Sequence, residues 1–304
     1  MRIVHEMNAN QVILITGAST GFGREAAETL ARRGYTVFAT MRDPAGRNAS
    51  HSEALRRAAA QEQWALHVVE MDVTQDASVD QCVRQVLAQA GHINVVINNA
   101  GIGAIGVTEA YTVEQFQGLF DVNVFGVVRV NRAVLPAMRA QRSGLLIHVS
   151  SGAGRIAIPY MAAYCASKFA LEAIADACRF ELSPFGVDSV IVEPGAHKTP
   201  ILEKFIQPDD AGRVADYGEA QYAGRIRQRF DDVAASPDAP GPELVVDAFV
   251  QLIEMPAGTR PFRTVPTAGL QPVLEQYNAM ALQIRENTAQ RYNVGELLVL
   301  RTSD

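Results

Sequence analysis

Tyr164 and Lys168 are the residues whose types and spacing most directly indicate chemistry. Residues four apart share one face of a helix, so the phenol and the ammonium group would be neighbours. A free phenol titrates near ~10, and a neighbouring positive charge lowers that pKa toward values useful at neutral pH. Ser151, thirteen residues before Tyr164, offers a hydroxyl that could stabilise an oxygen gaining negative charge. The combination predicts proton exchange with a substrate oxygen.

A glycine-rich segment lies near the N-terminus, at residues 16–23, with the sequence Thr-Gly-Ala-Ser-Thr-Gly-Phe-Gly. It follows a short apolar run and precedes a segment with helical spacing. In that context Gly17 permits a tight turn, Gly21 lets the backbone approach a diphosphate, and Gly23 lets helix and strand pack closely. The helix N-terminus adds free N–H groups and a partial positive charge. The segment therefore predicts a dinucleotide cofactor.

Together these motifs resemble the short-chain dehydrogenase/reductase family, over residues 11 to about 200. Further family motifs follow in order: Asp72-Val73, the pair that contacts adenine, then Asn98-Asn99-Ala100-Gly101, then Pro194-Gly195 with Thr199. The resemblance implies a catalytic set of Asn123, Ser151, Tyr164 and Lys168. It implies cofactor contacts from Gly17, Ser19, Thr20, Gly21, Phe22, Gly23, Asp72, Val73, Asn99, Ala100, Gly101, Tyr164, Lys168, Pro194, Gly195, His197 and Thr199.

The resemblance also implies roles for these side chains. Tyr164 would exchange the proton, Ser151 would bind the substrate oxygen, and Lys168 would also hold the nicotinamide ribose. Asn123 would hold a water in a proton relay behind Lys168. His197 stands where relatives often carry an aliphatic residue beside the nicotinamide carboxamide, which leaves the local pocket and its pH response open.

The choice between NAD(H) and NADP(H) depends on the residues after the second apolar run. A fold that prefers NAD usually has an acid about twenty residues past the glycines, where it binds the ribose 2′-hydroxyl. Met41 falls at that position, and Met cannot accept such a hydrogen bond. Arg42 could pair with a 2′-phosphate. In the alternative, Arg42 is a solvated turn residue and Asp43 reaches back to the ribose. We expect NADP(H) to be favoured over NAD(H).

These residues must be positioned by elements that alternate along the chain. Short apolar runs, typical of parallel strands buried on both faces, occupy residues 12–16, 36–40, 66–73, 95–97, 145–150 and 189–192. Segments with helical spacing occupy residues 25–33, 76–90, 113–140 and 161–182. This alternation predicts an α/β fold, a doubly wound parallel sheet of the Rossmann type with helices on both faces.

We expect residues 1–304 to form one domain, with a cofactor-binding half at about 10–150 and a catalytic and substrate half at about 151–304. Residues 199–241 are more polar and read as an enlarged insertion of short helices, a lid over the substrate. Its Phe205, Ile206, Tyr217, Tyr222 and Phe230 would suit an apolar substrate. A helix over 242–255, a last strand over 262–267 and a helix over 270–291 complete the prediction.

Charge and composition exclude several classes of function. Lys plus Arg total 27 against 33 for Asp plus Glu, a net charge of −6, so no bulk field attracts nucleic acid or an anionic membrane. No apolar run approaches the ~20 residues of a membrane span. Three cysteines form no metal or disulfide pattern, and the histidines form no metal pair, so we expect no metal. We expect a cytoplasmic protein that is a homodimer or homotetramer.

The expected reaction is hydride transfer between NADP(H) and a carbonyl or secondary alcohol of a small molecule. Residues 164–172 and 37–43 are similar to the steroid and retinol dehydrogenase branch, which implies an apolar steroid-like, retinoid-like or aromatic substrate. Two alternatives stay open. One is a 3-ketoacyl-type reductase; the other is an NADP(H)-sensing regulator without turnover. His148, on a predicted buried strand, is expected to be a core residue with satisfied hydrogen bonds.

Overall fold

A parallel sheet runs through the centre of the molecule. The computed structural model describes residues 10–218, 220–267 and 271–301. Within them, seven strands lie in the order β3-β2-β1-β4-β6-β7-β9, and every neighbouring pair is parallel. The strands are β1 (Val12–Ile15), β2 (Thr36–Met41), β3 (Leu66–Glu70), β4 (Val95–Asn98), β6 (Gly144–Val149), β7 (Val187–Val192) and β9 (Arg263–Thr264). Two short strands, β5 (Gly103–Ala104) and β8 (Phe205–Ile206), pair with each other outside it.

Helices connect the strands and cover the sheet. They are α1 (Gly21–Arg32), α2 (Ala49–Glu62), α3 (Asp76–Ala90), α4 (Val113–Phe120), α5 (Gly126–Gln141), α6 (Ala162–Leu182), α7 (Ala211–Asp216), α8 (Ala220–Ala235), α9 (Glu243–Glu254) and α10 (Gln271–Arg291). Local sequence explains several boundaries: Thr112 and Gln115 form a capping box at the start of α4. Gly91, at φ +82°, ends α3 in the left-handed conformation that glycine adopts without strain.

The alternating side chains of β1 show why both faces of the sheet need helices. Ile13 and Ile15 are buried in one cluster with Leu30 of α1 and Phe249 of α9. Val12 and Leu14 belong to the opposite cluster, which also contains residues of α3 and α5 such as Val83 and Val134. Both faces of the strand are therefore buried, which confirms the predicted doubly wound fold.

The strand order reverses between β1 and β4, since β2 and β3 lie on one side and β6 and β7 on the other. Loops on either side of such a reversal leave a crevice at the carboxyl ends of the strands. The glycine-rich turn follows β1, residues 99–101 follow β4, Ser151 follows β6 and Pro194 follows β7. The topology therefore brings the motifs of the sequence to one edge of the sheet.

The predicted helix over 113–140 is interrupted. A π-helical turn, Asp121–Phe125, separates α4 from α5, and the N–H of Gly126 donates to the carbonyl of Asp121, five residues earlier. The last strand is also shorter than predicted, at Arg263–Thr264. A π-helical turn within a helix is often found at a functional site, because it turns one side chain out of the regular spacing. Here that turn contains Asn123.

The insertion contains a strand that the sequence did not predict. β8 pairs with β5, and the hydroxyl of Tyr111 donates to the carbonyl of Ile206 at 3.0 Å. Before β8, a 3₁₀ turn spans Pro200–Lys204, and α7 and α8 follow it. The segment is thus attached to the domain at β8 as well as at its two ends. Leu270, the predicted start of the C-terminal helix, lies outside the described residues.

His148 on β6 does not have the satisfied hydrogen bonds that we expected. It is fully buried, and its Nδ1 lies 3.4 Å from Nδ2 of Asn98. Its Nε2 has no hydrogen-bond partner among the described residues. Burial lowers the pKa of His148 to about 4, so the ring is neutral at physiological pH. A neutral ring costs much less to bury than a charged one, which fits its position between β4 and β7.

Candidate active site

The glycine-rich turn forms one wall of a cleft. Gly17 and Gly21 have φ of +70° and +60°, a region that other residues enter only with strain. A Cβ on Gly17 would lie 2.9 Å from Cα of Ala100, and one on Gly23 would lie 2.5 Å from the carbonyl oxygen of Gly17. Thr20 precedes α1 without capping it through its side chain, and the first turn carries no acid. The free N–H groups of this helix start therefore face a site suited to an anion.

The turn is held by the segment after β4. The hydroxyl of Thr16 accepts hydrogen bonds from the N–H groups of Asn99 and Ala100, at 2.9 and 3.0 Å. The amide of Asn99 donates to the carbonyls of Thr16 and Gly17, at 2.9 and 3.1 Å. The side chain of Asn99 thus fixes the turn. Asn99, Ala100 and Gly101 also line the cleft.

Arg42 lies where β2 ends and lines the same cleft. Asp43, the alternative ribose ligand, has φ +43° and turns toward its own loop, where its Oδ2 accepts from the N–H of Arg47 at 2.8 Å. Asp72, which lines the cleft beside Val73, accepts from both the N–H and the hydroxyl of Thr74. Of the side chains of Arg42, Asp43 and Asp72, that of Arg42 is the one that forms no hydrogen bond or ion pair among the described residues.

Tyr164, Lys168 and Ser151 meet at the middle of the cleft. Tyr164 and Lys168 lie one turn apart on α6, with Nζ of Lys168 5.8 Å from the centroid of the Tyr164 ring. Nζ also donates to the carbonyl of Val149 at 2.9 Å, at the end of β6. Ser151 follows that strand, and its Oγ accepts from the N–H of Ala153 at 3.1 Å. All three predicted side chains line one cavity.

The pKa values of this group differ from the expectation. Burial raises the pKa of Tyr164 to about 12, while the hydroxyl of Ser151 lowers it by a smaller amount. Burial likewise lowers the pKa of Lys168 to about 8, and the charge of Glu172 opposes that shift. The prediction that Lys168 brings the Tyr164 pKa below its ordinary value is therefore wrong for this structure, because desolvation of the phenol is the largest cause of its shift. Tyr164 is a protonated phenol at neutral pH.

Asn123 lies behind the cleft and does not line it. Its Oδ1 accepts from the N–H of Ile102 at 2.9 Å. Its Nδ2 donates to the carbonyl of Ile102 at 2.9 Å and to Oγ of Ser167 at 3.0 Å. Both amide hydrogens are thus used within the protein. Asn123 ties the loop after β4 to α6, one residue from Lys168.

The loop after β7 closes the cleft on the other side. Pro194, Gly195, His197 and Thr199 all line it. Nδ1 of His197 lies 3.0 Å from the carbonyl oxygen of Gly195, and its ring meets Phe22 edge-on with centroids 5.3 Å apart. Burial is the main cause that lowers the pKa of His197, so its ring is neutral near pH 7. Since the carbonyl accepts, Nδ1 carries the proton.

A buried ionic cluster supports this loop from below. Nε of Arg263 lies 2.9 Å from Oε2 of Glu172 and 3.3 Å from Oε1 of Glu193, the residue before Pro194. Asn278 of α10 donates to the other oxygen of Glu193 at 2.6 Å. Burial, and then the like charge of Glu172, raise the pKa of Glu193 to about 7. The cluster fastens the loop to β9 and to the C-terminal helix.

The cleft has a volume of about 710 Å³ and widens beyond Tyr164 into an apolar space. Its wall there is formed by Ile102, Ala153, Ile156, Ile158, Met161, Phe205, Ile206, Phe230 and Ala234. Two of the predicted aromatic residues do not belong to it. Tyr217 donates to Oε2 of Glu109 at 2.9 Å, and Tyr222 stacks on Tyr160 and lies under Arg225. Both side chains are exposed to solvent, and neither lines the cleft.

The residues present fit a nicotinamide dinucleotide. A cradle of glycines at which a Cβ would clash or strain the backbone lies at one end, with free N–H groups at a helix start and Arg42. At the other end, a phenol, an ammonium group and a hydroxyl face an apolar space. This arrangement can hold an anionic cofactor and exchange a proton beside it. Among the described residues, no group of three or more His, Cys, Asp or Glu side chains could hold a metal ion.

Lys204 also lines the cleft, and the sequence offered no sign of it. It ends the 3₁₀ turn of the insertion, and Nζ donates to the hydroxyl of Thr20 at 2.9 Å, across 184 positions of the chain. No local pattern links these two residues. Its only signal is scarcity, since the lysines of this chain are Lys168, Lys198 and Lys204.

Comparisons with known proteins agree with this geometry. The family model of the short chain dehydrogenases matches residues 11–210. A 3-ketodihydrosphingosine reductase of Bacteroides thetaiotaomicron is 37% identical over 210 residues, 69% of this chain and 72% of the relative. Retinol dehydrogenase 8 of Bos taurus is 35% identical over 240 residues, 76% of this chain and 75% of the relative. The crystal structure of a short-chain dehydrogenase from Streptomyces avermitilis superposes with a TM-score of 0.74 at 30% identity, covering 94% of this chain and 98% of that one.

Proposed function

The chain belongs to the short chain dehydrogenase family and is an NAD(P)-dependent oxidoreductase of alcohol and carbonyl groups, and on that premise we propose that it uses NADP(H) on an apolar ketone or secondary alcohol. One observation carries the proposal. A single cleft leads from Arg42, whose side chain has no ion-pair partner in the part of the chain that the structure describes, past the phenol of Tyr164, to an apolar wall.

The mechanism follows from the side chains of the cleft. A nicotinamide held in this cleft would supply or accept the hydride. In reduction, Tyr164 gives its phenolic proton to the carbonyl oxygen, and its raised pKa keeps that proton available at neutral pH. Ser151 donates a hydrogen bond to the same oxygen as its negative charge develops. Lys168 stabilises the phenolate that remains, because its positive charge lies beside the ring.

The preference for NADP(H) is supported by the end of β2. Met41 offers no acceptor for a ribose hydroxyl, and the carboxylate of Asp43 is used by the N–H of Arg47. The guanidinium of Arg42 lines the cleft without a carboxylate partner among the described residues. A planar guanidinium matches the geometry of a phosphate, so the 2′-phosphate of NADP(H) would complete this site.

The apolar substrate is supported by the wall beyond Tyr164. Phe205 and Phe230 meet edge-to-face with ring centroids 6.4 Å apart, and Phe205 lies 6.3 Å from the ring of Tyr164. A substrate that fills this space removes its own apolar surface from water, at roughly 25 cal/mol for each Å² buried. A ketone flanked by hydrocarbon would place its one polar atom near Tyr164 and Ser151.

A 3-ketoacyl-type reductase is the second candidate. It is favoured by the likeness to a relative named 3-ketodihydrosphingosine reductase, a name that also describes a ketone. A regulator that only senses NADP(H) would have no use for a proton donor between the cofactor cradle and an apolar space. Turnover of any ketone therefore excludes the regulator, and the kind of ketone that is turned over separates the two reductases.

Two measurements test the proposal. Titration with NADPH and NADH should show tighter binding of NADPH, and Met41→Asp with Arg42→Ala should reverse that preference by adding an acceptor and removing the phosphate partner. A panel of ketones, retinoid-like, steroid-like, aromatic and 3-ketoacyl, should then be reduced in order of apolar size. Tighter binding of NADH by the wild-type protein would refute the choice of NADP(H). Turnover of the 3-ketoacyl compounds alone would favour the second candidate.

We also infer a homodimer or a tetramer built from it. Helices α4 and α6 and the π-helical turn after α4 expose large apolar side chains, with Val113 67%, Phe169 41% and Phe125 50% exposed. Tyr164 and Lys168 use the inner face of α6, which leaves its outer face available to a partner. A two-fold contact between like helices is the commonest way to cover such a surface.

A further inference from the structure

Three cations meet at the end of the cleft that would hold the adenosine half of the cofactor. Arg42 follows β2, Arg47 lies in the turn before α2, and Lys204 comes from the insertion on the opposite side. All three line the same cavity. Arg42 and Arg47 are five residues apart in the sequence, whereas Lys204 reaches this site only because the insertion folds back over the glycine-rich turn.

Lys204 connects the insertion to the glycine-rich turn. Its Nζ donates to the hydroxyl of Thr20, the residue before α1, at 2.9 Å. It also lies close enough to Arg42 for the two positive charges to repel: partial burial lowers the pKa of Lys204, and the charge of Arg42 lowers it further. Holding like charges together costs free energy unless an anion lies between them.

The acids around these cations do not supply that anion. Among residues 10–218, 220–267 and 271–301, no carboxylate forms an ion pair with Arg42, Arg47 or Lys204. Glu203, the neighbour of Lys204 in sequence, raises the pKa of Lys204 by less than Arg42 lowers it. The carboxylate of Asp43 is turned into its own loop. The site is therefore a cluster of cations open to an external anion.

We propose that Lys204 binds the adenosine 2′-phosphate together with Arg42, so that one residue of the insertion helps to select NADP(H). This inference rests on the proposed use of NADP(H) and extends it to a residue outside the glycine-rich motif. It also gives the insertion a second task. Phe205 and Ile206, which follow Lys204 directly, line the apolar part of the cleft, so binding of the 2′-phosphate would hold the substrate wall in place.

The test uses two fragments that differ by this one phosphate. Calorimetric titration of the wild-type protein with 2′,5′-ADP and with 5′-AMP should show tighter binding of 2′,5′-ADP. Lys204→Met should lower the affinity for 2′,5′-ADP about 10- to 100-fold, the usual effect of losing a charged hydrogen bond, and should leave the affinity for 5′-AMP unchanged. Lys204→Arg should restore most of the loss. Lys198→Met is the matched control, because Lys198 points to the carbonyl of Pro237 and does not line the cleft.

The outcomes separate this inference from the proposed function. If the wild-type protein prefers 2′,5′-ADP and Lys204→Met keeps that preference, NADP(H) stands and the role of Lys204 is refuted. An equal loss of affinity for both fragments would mean that Lys204 contacts another part of the nucleotide or supports the fold, and would refute the assignment as well. If the wild-type protein does not distinguish the fragments, the choice of NADP(H) fails and this inference fails with it. Thermal unfolding of each variant, at unchanged Tm, verifies that the fold is intact.

Discussion

Replacing Tyr164 with Phe removes one hydroxyl and leaves the ring contacts of the cleft in place. The ring still packs 6.3 Å from Phe205, so stability and cofactor affinity should stay near the wild-type values. The chemical step loses its proton donor, and one acid or base group contributes about 10²- to 10⁴-fold in rate. That range corresponds to about 3–5 kcal/mol of transition-state stabilisation.

The pKa of Tyr164 adds a signature in pH. With a pKa of about 12, the phenolate share at pH 7 is ~10⁻⁵. Reduction uses the protonated phenol, so its Tyr164-dependent rate should be flat near neutrality. Oxidation uses the phenolate, so its rate should rise up to tenfold for each pH unit, until the bound cofactor or Lys168 limits it. The loss of the hydroxyl should abolish this rise.

The assay follows the absorbance of the reduced nicotinamide in both directions, on whichever substrate the ketone panel identifies. Tyr160→Phe is the matched control, because Tyr160 lies four residues earlier, before α6 begins, stacks on Tyr222 and does not line the cleft. Its kcat and pH profile should stay at wild-type values. If Tyr164→Phe retained a near-wild-type kcat, or the same rise of oxidation with pH, the assignment of Tyr164 would be wrong.

Five further outcomes are expected. Arg263→Met removes the cation nearest to the buried carboxylates of Glu172 and Glu193, and Arg155 remains only at 3.9 and 3.7 Å from them. Urea unfolding should therefore show a loss of up to about 3–5 kcal/mol, and a loss below about 1 kcal/mol would contradict the ionic account. Glu193 has a pKa of about 7 in the folded protein against an ordinary value of 4.5, so between these pH values the folded state binds a proton that the unfolded state has lost. The free energy of unfolding should therefore fall as pH rises from about 4.5 to 7, and Glu193→Gln should make it less dependent on pH. A Cβ at Gly103 would overlap the ring of Phe205, so Gly103→Ala should raise KM for apolar ketones with little change in NADPH affinity. Hydrogen exchange over 199–241 should slow when NADPH and substrate bind, whereas complete protection without ligand would mean fixed structure rather than a lid. Light scattering should show at least a dimer, and a monomer at micromolar concentration would exclude the inferred assembly.

Much of this protein can be predicted from short-range sequence. The glycines at 17, 21 and 23, the spacing of Tyr164 and Lys168, and the apolar runs each describe geometry within a few residues. Such geometry is set by backbone sterics and helical or strand periodicity, which act locally. The predicted fold and family are confirmed for this reason, and Ser151, Tyr164 and Lys168 do line one cavity.

Other features depend on what surrounds a residue. The amide of Asn123 is used up by Ile102 and Ser167, because a π-helical turn aims it there. The pKa of Tyr164 is raised rather than lowered, since desolvation is a property of everything packed around the phenol. The spacing of residues along the chain predicts neither effect.

The insertion shows the same limit most clearly. Its composition suggested short helices with aromatic residues toward the substrate, yet Tyr217 and Tyr222 point outward and β8 pairs with β5. Lys204 reaches Thr20 only after the chain has closed a loop of 184 positions. Contacts over such distances depend on how whole elements pack, because many chain conformations share the same local preferences and the buried surfaces select among them. The sequence determined the cofactor cradle and the proton-exchanging pair, whereas the tertiary structure decided what lies opposite them.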